Sequence, residues 1–81
     1  MSKADEMFEK LGYKMINVND VITGTILMYD SRFENGNKKR IAFYEDKTIT
    51  CSESYINVGK FNSKELQAIN EKVKELGWEE N

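Results

Sequence analysis

The side chains with the clearest chemical potential in this sequence are three aromatic rings and two cations: Tyr29, Phe33 and Tyr44, with Lys38 and Arg40. Rings of this kind stack nucleobases or anchor a protein partner, and cations beside them hold phosphate or carboxylate. Whether the five act together depends on a strand reversal at Asn35-Gly36, the dipeptide best suited to a type I′ turn because both central residues need positive φ. A two-residue loop there pairs Glu34 with Asn37 and fixes every pair behind it. One face of the hairpin then carries Ile26, Met28, Ile41 and Phe43; the other carries Leu27, Tyr29, Phe33, Ala42 and Tyr44, with Lys38 and Arg40 near the turn. With helices over the aliphatic set, Tyr29, Phe33, Lys38, Arg40 and Tyr44 form a candidate partner-binding face. A three- or five-residue loop exchanges the two faces, and cross-strand tyrosines also serve simply to stabilise a sheet.

Other chemistry is sparse. The chain has no histidine, which removes the usual general base, the Cys-His and Ser-His pairs and the commonest metal ligand. Cys51 falls in the alternating run Thr48-Ile49-Thr50-Cys51, the setting of an inert strand thiol. One Cys and no His make no zinc site, the carboxylates follow no EF-hand spacing, and no glycine motif cradles a phosphate. The expectation is a protein that is not an enzyme, with no catalytic residue, no metal and no cofactor. In Lys38-Lys39-Arg40, alternation sends Lys39 to the face opposite the other two, which suits a charged strand better than a phosphate track.

Composition narrows the class. Eighty-one residues, 40% hydrophobic, 11% aromatic and 32% charged, with five Gly and no Pro, describe one folded domain over residues 1–81 with no linker. A net charge of −2 and a pI near 5.1 disfavour general affinity for nucleic acid or anionic membrane. A single cysteine, a polar start from Met1 to Asp5 and no apolar run near 20 residues predict a soluble, cytoplasmic protein without membrane contact.

The elements that must position these side chains are well signposted. Ser2 is an N-cap with Asp5 three residues on, and Ala4, Met7, Phe8 and Leu11 form one helical stripe before Gly12 and Tyr13. Asn62 and Glu65 form a capping box, with Phe61 and Leu66 as its staple. Leu66, Ile69, Val73 and Leu76 then make a second stripe before Gly77 and Trp78. Between the helices the period is two. Strands are expected over Tyr13 to Val18, Val21 to Phe33, Lys38 to Glu45 and Thr48 to Ser52, with a short fifth over Tyr55 to Val58. Turns are expected at Asn19-Asp20, Asn35-Gly36 and Asp46-Lys47. At the last, a three-residue loop keeps Ile49 and Cys51 with Phe43. The fold class is α+β: a four- to five-stranded antiparallel β-meander flanked by an N-terminal and a C-terminal helix, both on one face.

The two ends carry a resemblance. The segment from Phe61 to Trp78, with its Glu65-Leu66-Gln67-Ala68-Ile69-Asn70-Glu71-Lys72 run and its Glu75-Leu76-Gly77-Trp78 end, resembles the C-terminal helix of small uncharacterised proteins encoded by phages and prophages of Firmicutes. Such proteins often begin with a helix like Ala4 to Tyr13. The resemblance implies a mobile-element origin and a bacterial cytoplasm, and carries no catalytic residue across. The functional expectation is a small accessory protein that binds a host or phage protein, with inhibition of host defence as one such role. The alternatives are a single-stranded nucleic-acid-binding module that uses the aromatic and basic sheet face, and a structural homodimer.

Overall fold

The computed structural model describes residues 2–32, 38–54 and 59–78, with Arg32 described through its backbone alone. Phe33, the Asn35-Gly36 reversal and the expected strand from Tyr55 to Val58 lie outside the described residues. The element order is α1 (Lys3–Lys10), β1 (Lys14–Asp20), β2 (Thr25–Arg32), β3 (Lys38–Tyr44), β4 (Ile49–Glu53) and α2 (Ser63–Glu75). The strands form one antiparallel sheet in the order β1-β2-β3-β4, so the α+β meander expected from the periodicity is the fold.

Both helices start and stop by the chemistry written in their flanks. Asp5 N–H donates to Ser2 Oγ at 3.0 Å, and the Asn62–Glu65 box closes in both directions at 2.9 and 2.8 Å. At the other ends Gly12 and Gly77 take φ of +91° and +72°. The following amides, Tyr13 and Trp78, reach back to Phe8 O and Val73 O at 2.9 and 3.0 Å. Each helix therefore ends in a Schellman motif, which needs the left-handed residue that glycine supplies without a Cβ penalty.

These two reversals also deliver rings to the core. Tyr13 meets Phe8 edge-on at 5.6 Å, Phe8 stacks on Tyr29 at 3.8 Å, and Tyr29 meets Phe43 edge-on at 5.9 Å. Trp78 then closes the series on Phe43 at 6.0 Å. Leu27, Ile41, Ala68 and Ile69 complete the buried cluster. Both helices thus pack on one face of the sheet.

Three expectations need correction. The first turn is not at Asn19-Asp20. Asp20 Oδ1 accepts the Ile22 amide, Gly24 N–H donates to Asp20 O at 2.8 Å, and Gly24 adopts φ +75°, so the chain reverses over residues 21–24. Val21 and Ile22, which read as strand because they are β-branched, stand on the tip at 90% and 92% exposure. In α2 the inward stripe is Glu65, Ala68, Ile69 and Lys72, with Val73 and Leu76 partly buried, while Leu66 turns outward. The helix rotates this way because its Glu65 and Lys72 find partners beneath it, described below.

The third correction is the hairpin register. A two-residue loop at Asn35-Gly36 requires Arg32 opposite Lys39; Lys38 stands there instead, and Tyr29 pairs with Ile41, Leu27 with Phe43 and Asp30 with Arg40. One residue of slip moves every side chain to the other face. The observed register collects Leu27, Tyr29, Ile41 and Phe43 under the helices and sets two opposite charges directly across from each other, where the expected one would have set Asp30 against Ile41. A bulge between Thr25 and Leu27 lets Ile26 also pack against the core. The β3–β4 turn behaves as expected, with Lys47 at φ +68° and Phe43 opposite Ile49, so Ile49 and Cys51 share the face of Phe43.

Candidate functional site

The corrected register divides the five expected surface residues. Tyr29 is fully buried on the helical side, and its hydroxyl donates to Asp5 of α1. Burial raises its ionisation above the ordinary tyrosine range, and the hydrogen bond to the Asp5 carboxylate and that group's charge add to the rise. It cannot meet a partner and leaves the candidate face. Phe33 lies outside the described residues. Lys38, Arg40 and Tyr44 do share the opposite face, as Lys38 and Arg40 are exposed and Tyr44 half-buried.

Alternation defines that face strand by strand. From β1 it takes Lys14, Ile16 and Val18, from β2 Met28 and Asp30, from β3 Lys38, Arg40, Ala42 and Tyr44, and from β4 Thr50 and Ser52. No described residue from either helix lies over it. Its centre is an open concavity of about 500 Å³ lined by Val18, Met28, Arg40, Ala42, Tyr44 and Thr50 among others. Arg40 grips Asp30 through two parallel bonds, Nε to Oδ1 at 2.8 Å and an Nη to Oδ2 at 2.9 Å. The hydrogen bond to Asp30 raises the guanidinium further above its already high value, against the opposing effect of burial. Tyr44 and Thr50 hydroxyls sit 3.1 Å apart across β3 and β4.

The face is polarised along the strands. Lys14, Lys38 and the Arg40–Asp30 pair lie at the end where β2 finishes and β3 begins. Asp20, Glu45 and Asp46, with Lys47 beside them, lie at the other and leave it net acidic, where the turns over residues 21–24 and 45–48 stand side by side. Glu45 N–H donates to Gly24 O at 2.8 Å and ties those turns together. The bare aliphatic pair Val21-Ile22 thus projects from the acidic end, beside a second recess of about 240 Å³ that also involves Thr23, Tyr44 and Glu45.

The buried polar groups of the other face are bound to each other. Glu65 Oε2 accepts the Tyr13 hydroxyl, while Oε1 accepts Lys39 Nζ at 2.9 Å and the Asn62 amide at 2.8 Å. Burial alone would raise the Glu65 carboxyl; the Tyr13, Lys39 and Asn62 donors outweigh it and hold it below the ordinary glutamate range. A parallel arrangement joins the helices: Asp5 takes Tyr29 and, at 3.4 Å, Lys72, and Glu75 takes the Ala4 amide at 2.8 Å and Lys72 at 3.4 Å. For Asp5 and Glu75 too, burial pushes upward and the donors win, leaving both carboxyls low. Each carboxylate is an anchor between elements, occupied by its own neighbours. Cys51 points to the Lys60 carbonyl at 3.8 Å, and burial raises its thiol. Among the described residues no three His, Cys, Asp or Glu side chains converge as metal ligands, and no helix is long and apolar enough to cross a membrane.

Sequence reasoning placed Ala42 with Tyr44 correctly, but missed Met28 as a face residue because the loop-length assumption inverted the parity of β2, and it assigned Ile16 to neither face. It missed Lys39 as a core cation because a lysine in a basic run reads as solvated. The Val21-Ile22 tip had a signal in Gly24, a turn residue three positions beyond Val21. No protein-family model matches this chain, and no curated protein or solved structure matches it either.

Proposed function

We propose that this domain works by binding another protein through the sheet face its helices leave bare. The observation that carries this reading is that, among the described residues, both helices pack on one side of the sheet and leave the other uncovered by either of them. Half-buried Met28 and Tyr44 occupy the middle of that side around a buried Ala42, exposed Ile16 lies on its β1 edge, and a fixed Arg40–Asp30 pair marks one end. An apolar centre with a polar rim is the anatomy of a docking surface, in which aromatic and aliphatic anchors supply affinity and charges set register. The likeness of the chain's ends to small phage and prophage proteins supports an accessory role in a bacterial cytoplasm, and inhibition of a host protein suits a scaffold of this size.

Nucleic-acid binding is the weaker alternative. Single-strand platforms use several rings in succession beside a cationic track. With Tyr29 in the core, Tyr44 is the ring that the described residues offer on this face, and Arg40 is already committed to Asp30.

Photo-crosslinking tests the proposal. A benzophenone side chain at Thr50, on the open face, is expected to capture a discrete protein in the cells that make this chain, whereas one at Lys74, an exposed residue of α2, is not. Equal capture from Thr50 and Lys74, or none from Thr50, would overturn it. Binding of a 20-nucleotide single strand at low salt, lost in Tyr44→Ala, would favour the alternative instead.

A further inference from the structure

The open face is complementary to itself, and we infer that its resting occupant is a second copy of this chain, packed face to face about a two-fold axis that lies in the interface and runs across the strands. This rests on the reading of that face as a protein-docking surface and names its partner. Such an axis reverses strand direction, so the end bearing Lys14 and Lys38 in one copy lies over the end bearing Asp20, Glu45 and Asp46 in the other. Each contact occurs twice, as an isologous interface requires. The rotation also brings the two apolar centres together, Ile16, Met28 and Tyr44 of one copy against those of the other, at the roughly 10 Å spacing of packed sheets.

Charge decides between this occupant and its competitors. The acidic end beside Val21-Ile22 repels an anionic lipid surface, which would otherwise suit a tip of two aliphatic residues exposed at 90% and 92%. A uniformly charged partner satisfies one end of the face and opposes the other. A second copy satisfies both. In this arrangement the tip of each copy extends over the partner's basic end, where lysine stems offer it apolar cover. The flat area of four strands is only roughly 450 Å² per copy from strand spacing and rise. That is below the roughly 800 Å² per partner of a stable interface, so the pair is a weak one that a tighter protein partner displaces.

Sedimentation equilibrium of the purified full chain tests this at loading concentrations spanning two decades into the high micromolar range. The expected result is a reversible monomer–dimer equilibrium that weakens as sodium chloride rises from 50 to 500 mM. Ile16→Glu, a change at a residue already 39% exposed, should abolish it while circular dichroism and the thermal midpoint stay native. Lys38→Glu should raise the dissociation constant by about fivefold or more, because the symmetry breaks its rim charge pair twice. Lys38→Glu combined with Glu45→Lys reverses both ends and should restore association, which a merely structural role for either residue would not do. A protein monomeric at every concentration overturns the inference, as does a dimer indifferent to Ile16→Glu or a double reversal no better than Lys38→Glu alone. Because this experiment uses the pure protein, its failure leaves the cross-linking result at Thr50 to stand or fall separately.

Discussion

Lys39 Nζ sits 2.9 Å from Glu65 Oε1, with the two side chains only 9% and 7% exposed. The pair joins the start of β3, a central strand, to the first turn of α2, and the same carboxylate closes the capping box on Asn62 and receives Tyr13 from the end of α1. A buried ion pair is weak evidence of net stabilisation, but removal of one partner strands the other. Glu65→Ala should therefore cost about 3 kcal/mol, a large share of the roughly 4–12 kcal/mol available to a chain of this length. Lys39→Met combined with Glu65→Met should cost less than the two single changes added together, because neither charge is left alone. Urea unfolding of the four proteins, compared at equal slope, measures the coupling; strict additivity would show that the two residues do not act as a pair.

The carboxyls and phenols of these ties make stability depend on pH at both extremes. Asp5, Glu65 and Glu75 lie below their ordinary values when folded. As pH falls, the unfolded chain binds protons first, so the stabilisation is complete above about pH 5 and drains away below it as the folded groups titrate. Tyr13 and Tyr29 are raised when folded, chiefly by burial and then by their carboxylate partners. Their stabilisation is complete below the unfolded phenol value near 10 and is lost above it. Thermal midpoints should accordingly fall below pH 4 and above pH 10. The gap between wild type and Tyr13→Phe should narrow between pH 9 and pH 11, since only the wild type carries that phenol. A constant gap would remove Tyr13 from the alkaline limb.

Local chemistry was legible in the sequence, as was the parity of β3 on β4, and the parity of β2 was not. Ser2, Gly12, Asn62, Glu65 and Gly77 act where their types and spacings place them, because a cap is satisfied within four or five residues. The faces of β2 were not legible because Asn35-Gly36 does not set the register by itself, while Lys38, Arg40 and Tyr44 of β3 lie on the face the alternation predicts. The register instead follows the whole hairpin, in which Tyr29 has Phe8 to stack on and Asp30 has Arg40 opposite. The inward Glu65 and Lys72 were invisible for a related reason. Their partners Tyr13, Lys39 and Asp5 lie 52, 26 and 67 residues away in the chain, and hydropathy alone assigns such side chains to water.

Gly59 is required for lack of space. Its amide donates to Cys51 O at 2.8 Å, and a Cβ there would stand 2.9 Å from Cys51 Sγ and 3.2 Å from the Cys51 carbonyl carbon and oxygen. Gly59→Ala should destabilise by about 1–3 kcal/mol as an overpacked site. In a Cys51→Ala background the same change should cost less but not nothing, because the backbone contacts remain. The increment measured by urea unfolding in each background checks this, and equal increments would clear the sulfur of blame.

Val21 and Ile22 should be dispensable for folding. At 90% and 92% exposure they bury almost nothing in the isolated chain, and the reversal beneath them is held by Asp20 and Gly24. Val21→Ser with Ile22→Ser should shift stability by no more than about 0.5 kcal/mol. Gly24→Ala, forced to φ +75°, should cost about 1–2 kcal/mol. Comparison of thermal midpoints decides the matter: a large loss in the serine pair would mean that the tip packs against the fold.

Tyr29 and Tyr44 lie on opposite faces of the same hairpin, and their truncations should separate cleanly. Tyr29→Ala opens a cavity between Phe8 and Phe43 and strands Asp5 of its hydroxyl donor, which should cost about 3–5 kcal/mol and leave the chain largely unfolded near 50 °C. Tyr29→Phe keeps the stack and loses the hydrogen bond, which should cost about 1–3 kcal/mol because the Asp5 acceptor is charged. Tyr44→Ala removes a half-buried ring from the open side, with an expected cost of about 1 kcal/mol, and should leave a native circular dichroism spectrum. If Tyr44→Ala proved the more damaging of the two alanine changes, the register of β2 on β3 would be inverted, and the open face with it.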